Sequence, residues 1–190
     1  MKKISCFMLL AVMLSACQYF GGGGRDFETS KGIASLVSDL KDEFGENAGY
    51  TSINMSYHDG IGTSVVATGT KDMNSNKMIE KLKQKGIWQD KSEITLEIEG
   101  EAKPKDFMFT LQQVQDLQKI PDLVKASVEK VEKEKQMKDL VATMVAVSMP
   151  SRINSPDDGL KIVIYVEPKN GGTDFQLSYN AKGEFIRMMY

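Results

Sequence analysis

Histidine occurs once in this 190-residue chain, tryptophan once and cysteine twice. A lone His58 leaves no second imidazole for the common zinc motifs, and H-E-x-x-H is absent. Charge of one sign is also lacking, since 24 Lys and Arg stand against 26 Asp and Glu. With no basic surplus to release counterions from phosphates, the composition argues against a nucleic-acid partner. No apolar run approaches the roughly 20 residues that a membrane-crossing helix needs. At 41% hydrophobic and 26% charged, the chain is neither wholly disordered nor collagen-like.

The longest apolar run is 4–14, ISCFMLLAVML, preceded by Lys2 and Lys3 and followed by Ser15, Ala16 and Cys17. A positive start, an eleven-residue apolar stretch and small residues before a cut have the form of a secretory signal. The sequence Leu14-Ser15-Ala16-Cys17 resembles the lipobox of bacterial lipoproteins. The resemblance covers residues 1–17 alone. It implies cleavage between Ala16 and Cys17, a diacylglycerol on the Cys17 sulfur, and a fatty acyl chain such as palmitate on the new amino group. Cysteine suits that role because its thiolate is the strongest side-chain nucleophile near neutral pH. Among Gram-negative members an Asp after the lipidated Cys favours the inner membrane. Gln18 stands here, which implies the outer membrane facing the periplasm.

Cysteine usage agrees with this expectation. Cys6 would leave with the signal and Cys17 would be acylated, so no disulfide within the chain is expected. The mature body would be more acidic than −2, because Lys2 and Lys3 leave and no acid does. Attachment would then depend on acyl chains, and stable anchoring takes at least two membrane signals. Residues 21–24 are all glycine, a tether without side chains to bury. The expected organisation is a cleaved signal at 1–16, a lipidated tether at 17–29 and a globular domain at 30–190. A subdivision of that domain would fall at 113–120.

Within 30–190 the patterns predict an α+β fold, an antiparallel sheet packed on amphipathic helices. Ile33, Leu36, Val37, Leu40 and Phe44 line one helical face after Thr29 and Ser30, with Gly45 placed to end the helix. Ile53, Met55 and Tyr57 alternate as a strand, and His58-Asp59-Gly60 turns into the β-branched stretch 61–70. Asn74 and Ser75 predict a short capped helix through Met78, Ile79 and Leu82, ending at Gly86. Ile94, Leu96 and Ile98 predict a one-sided strand with 107–111 as its partner. Pro121 suits a helix start. Two apolar stripes on different sides predict a break near Gln136, and 139–149 reads as helix or strand, with strand preferred. Residues 160–167, 174–179 and 184–190 predict a closing meander with Asn170-Gly171 at its first turn. Helix followed by strands occurs twice, near 30–112 and 120–190, which suggests two similar helix-plus-hairpin halves.

No catalytic, cofactor or metal site emerges from the motifs. Asp72-Met73-Asn74-Ser75-Asn76 begins like a calcium loop, but Lys77 replaces the required Gly and Lys83 the bidentate Glu. Ser38 with Lys41 and Ser127 with Lys130 match S-x-x-K, without the K-T-G and S-D-N companions. Gly60-Ile61-Gly62 lacks the third glycine of a phosphate loop. Glu93, Glu97 and Glu99 read as a wet strand face, and Asp157-Asp158 as a turn. The methionines read as core filling rather than as soft copper ligands. The chain is thus expected to be an envelope lipoprotein without cofactors, tied to the bilayer through Cys17. Its body would be a non-catalytic binding or structural module, using a sheet face or loop to hold a protein partner or a small apolar ligand. The alternatives are an enzyme with a scattered site and a surface-exposed inhibitor or adhesion-type lipoprotein.

Overall fold

Residues 24–150 and 159–190 are described by the structure, a computed structural model. The first helix, α1 (Ser30–Phe44), starts where the sequence places it, with the Thr29 hydroxyl accepting from Gly32 N–H at 3.0 Å. Its buried face is Ile33, Leu36, Val37, Leu40 and Phe44, and Gly45 closes it at φ 101°. A positive φ is cheap only for glycine. The second helix, α2 (Ile120–Lys135), has Pro121 in its first turn and stops at Gln136, whose φ of 55° is left-handed. The break between the two apolar stripes is therefore real. Past Gln136 the chain straightens into a strand, Leu140–Ser148.

Eight strands form one antiparallel sheet: β1 (Gly49–His58), β2 (Gly62–Thr70), β3 (Lys77–Gln84), β4 (Ile87–Thr95), β5 (Leu140–Ser148), β6 (Lys161–Pro168), β7 (Phe175–Asn180) and β8 (Phe185–Met189). Their spatial order is β4-β3-β2-β1-β5-β6-β7-β8. The fold is α+β, an eight-stranded antiparallel sheet with two helices.

Two local expectations are corrected. Residues 77–84 are strand β3, not helix, because they pair with β2 on one side and β4 on the other. The capping residues before them serve the β2–β3 turn instead. Asp72 Oδ1 accepts from Asn74 N–H at 2.9 Å, and Ser75 Oγ from Lys77 N–H at 3.0 Å. Residues 107–111 do not pair with β4 either. Pro104–Phe107 is a 3-10 turn, and Phe109 makes a single bridge to Tyr50. Phe109 is buried against the Tyr50 ring at 5.9 Å, a contact that draws it towards β1.

The strand register shows which face the helices cover. Asp90, Lys81, Ala67, Ile53, Val147, Ile162, Tyr179 and Phe185 are successive partners across all eight strands. Lys81 meets Glu43 of α1, and Tyr179 meets Ser127 of α2. Both helices therefore lie on this inner face. The core includes Ile33, Leu40, Ile53, Met55, Val131, Val145, Ile164 and Leu177. Burial of each such side chain is worth about 1.5–3 kcal/mol. Under α1 the sheet narrows at Gly69, where an added Cβ would lie 2.9 Å from the Tyr50 ring and 3.1 Å from Phe44. The small residue admits the Phe44–Tyr50 edge contact, with centroids 5.3 Å apart.

Candidate functional site

Side chains alternate across a strand, so the partners of the inner row define the opposite face. One row there reads Glu80, Thr68, Ser52, Ser148, Lys161 and Asn180. The next reads Leu82, Val66, Asn54, Ala146, Val163 and Ser178, and a third reads Ser64, Ser56, Met144, Tyr165 and Gln176. Most of these side chains are half-buried, and Thr68, Ser64 and Ser178 are buried. The central strands contribute small hydroxyls and amides, while β5 and β6 add Met144, Val163 and Tyr165. The Ser64 hydroxyl is buried and has no hydrogen-bond partner among the described residues. Such a face is hydrogen-bonding and mildly apolar.

The margins of the inner face are built differently on the two sides. On the α1 side, Lys81 bridges Glu43 at 2.6 Å and Asp90 at 2.8 Å, and Lys83 pairs with Asp39. Hydrogen bonds to Asp90 and then Glu43 hold the Lys81 ammonium above its ordinary pKa, against the effect of burial. On the α2 side, Lys130 lies 4.4 Å over the Phe185 ring and Lys135 3.4 Å over Tyr190. Beneath them Ser127 and Tyr179 share a buried 2.7 Å hydrogen bond. Burial pushes the Tyr179 and Tyr50 phenols above their ordinary values.

The segment 24–29 is fastened at one end of the sheet. Asp26 N–H donates to Thr63 Oγ1 at 3.0 Å, and the Thr63 hydroxyl donates to Gly24 O at 3.2 Å. Phe27 is fully buried, and a Cβ on Gly32 would lie 2.2 Å from Asp26 O, so only glycine permits this approach. A cavity of about 280 Å³ opens beside it, lined by Leu36, Asp39, Ile61, Thr63, Lys83 and Lys85 among others. Its charged pair is already mutually satisfied. At the β6–β7 turn the Glu167 and Asp174 carboxylates are neighbours. Burial first, and then the neighbouring Asp174 carboxylate, raise the Glu167 pKa, while Arg25 opposes them.

His58 is exposed at the end of β1, beside the turn expected for it. Ser127 is spent on Tyr179, and Lys130 on Glu134 and the Phe185 ring, so they form no nucleophile–base pair. Ser38 is exposed on α1, and Lys41 pairs with Glu46 at 3.0 Å. Glu93, Glu97 and Glu99 are exposed and Ile94, Leu96 and Ile98 half-buried, but strand β4 ends at Thr95, so the strand expected to run through Ile98 stops short of it. Among the described residues no group of three or more His, Cys, Asp or Glu could hold a metal ion. Leu14, Ser15, Ala16, Cys17, Asp157 and Asp158 lie outside the described residues. Sequence reasoning missed the inward lysines of β3 and the Glu167–Asp174 pair. The Ile79, Lys81, Lys83 alternation was the available signal for the first.

No family model matches the chain, and no curated protein or solved structure is similar to it. Geometry and sequence must carry the functional reading. Among the described residues no helix is long and apolar enough to cross a membrane.

Proposed function

We propose that this chain is a lipoprotein precursor, cut before Cys17, acylated there and held on the outer membrane facing the periplasm. Its body is a non-catalytic binding module that uses the open face of the sheet to hold a protein partner. The observation that carries the binding role is the asymmetry of the sheet: both helices pack on one face. The other offers rows of Ser, Thr, Asn and small apolar side chains. The anchor rests on Leu14-Ser15-Ala16-Cys17 and the leader before it. In this reading 1–16 is the leader, the lipidated tether runs from Cys17 up to Gly24, and the working domain takes in the fastened segment 24–29 as well as 30–190.

The same reading takes the domain as two similar helix-plus-hairpin halves. In support, each helix precedes four consecutive strands, and the first strands of the two sets, β1 and β5, pair at the centre.

A photo-crosslinking amino acid at Asn54 or Val163 of the anchored protein tests the binding role, with Lys91 on β4 as control. Adducts of one discrete mass from the first two positions, lost when Ser56→Arg obstructs the face, are expected. Adducts from Lys91 alone would assign the partner elsewhere. For the anchor, Cys17→Ala should remain an unprocessed precursor without acyl chains, as read by intact mass.

A further inference from the structure

Outside residues 185–190, the exposed large apolar side chains of the described residues are Ile61, 40% exposed, and Ile87, 64% exposed. Both sit at hairpin tips, Ile61 between β1 and β2 and Ile87 at the start of β4. The register places the two tips side by side, because Val65 pairs with Lys83, and Lys83 with Trp88. Both tips also border one cavity, through Ile61, Gly62, Lys85 and Gly86.

The described residues begin at this same end. Gly24 is hydrogen-bonded to Thr63, two residues from Ile61. Seven residue steps separate Gly24 from Cys17, a span of at most about 25 Å when fully extended. An anchor at Cys17 therefore keeps Gly24, which is bonded to the base of the first tip, within that distance of the lipid. The turns at the opposite end carry Lys71, Asp72, Asn74, Lys182 and Glu184 outward instead. The exposed charges of these segments include Lys31 and Lys85 and also Asp26 and Asp59. Charge is nearly balanced there, and apolar contact supplies the attraction.

We infer that Ile61 and Ile87 form a second, body-borne contact with the bilayer, dipping into the headgroup boundary beside the acylated cysteine. This rests on the lipidated Cys17 of the proposed function. The strands then stand upright from the membrane, and the open face of the sheet looks sideways along it. Two isoleucines suffice only because the acyl chains already hold the protein at the surface.

The test uses the full-length acylated protein in vesicles of phosphatidylethanolamine and phosphatidylglycerol. Ile61→Cys, Ile87→Cys and, at the far end, Asn74→Cys are each labelled with an environment-sensitive fluorophore. The labels at 61 and 87 should shift to the blue and be quenched by lipid-borne nitroxides, unlike the label at 74. Replacing both residues by serine should speed transfer of the anchored protein between vesicles by about fivefold, with little dependence on salt. Labels at 61 and 87 as wet as the one at 74, in protein whose mass shows acyl chains, would overturn the inference alone. A bare Cys17 in the same mass spectrum would overturn both it and the anchor.

Discussion

The two helices meet the outer strands of one sheet through opposite chemistry. On the α1 side, acids on the helix face lysines on the sheet, with Glu43 and Asp39 pairing Lys81 and Lys83. On the α2 side the lysines are on the helix and the sheet offers rings, Lys130 over Phe185 and Lys135 over Tyr190. Ion pairs near the surface are screened by salt, whereas the ammonium-over-ring contacts of Lys130 and Lys135 act at short range on the face of an apolar ring. The edges differ in the same sense. Strand β4 exposes Gln89, Asp90, Lys91, Ser92 and Glu93, and such charge discourages pairing with another chain. Strand β8 exposes Phe185, Ile186 and Met189 with one Arg187, and lacks that protection.

The largest effect should come from the α2 side. Tyr179→Phe leaves the Ser127 hydroxyl buried and unpaired, and should lower stability by about 1–3 kcal/mol in urea unfolding. The double variant with Ser127→Ala should recover part of that loss, because neither partner is then orphaned. Next is Lys81→Met, which takes the ammonium away from Glu43 and Asp90 and should cost about 0.5–1 kcal/mol at low salt. That cost should shrink in 1 M salt, where the Debye length is about 3 Å, while the Tyr179→Phe cost should not. Equal salt response at the two sites would erase the contrast between the helices. Tyr190→Leu should be milder still, about 0.5 kcal/mol and indifferent to salt.

The pH dependence sharpens the same comparison. Tyr50, Tyr179 and Lys81 all have folded pKa values above their ordinary ones. Each contribution is whole below the unfolded value and is lost as pH rises through the folded value, so stability should fall above about pH 10. The Tyr179→Phe variant should fall less steeply. Glu167 is also raised, so its contribution is present below its unfolded value and lost as pH climbs through the folded one. Glu167→Gln should therefore leave the melting temperature at pH 7 unchanged or slightly higher, the smallest effect of the set.

Both helices were legible in the sequence, because Ile33, Leu36, Val37, Leu40 and Phe44 form one stripe and Gln136 separates two. The closing meander was legible from its turn residues. Strand β3 was not. Met78, Ile79 and Leu82 fit a helical face, and Glu, Lys, Leu and Gln favour helix locally. Its inward lysines make sense only once Asp39 and Glu43 lie above them, which is tertiary information. The open face was illegible for a related reason. Ser52, Thr68 and Ser148 come from three strands, and no local pattern announces that they will stand in a row.

Strands β1 and β5 touch at the middle of the sheet, yet Ser52 and Ser148 are roughly a hundred residues apart in the chain, a long loop to close. A nascent polypeptide that has delivered only its first five elements holds the long flank of β1 without its neighbour. The seam should therefore be the last thing to zip during refolding, and the step where concentrated chains go astray.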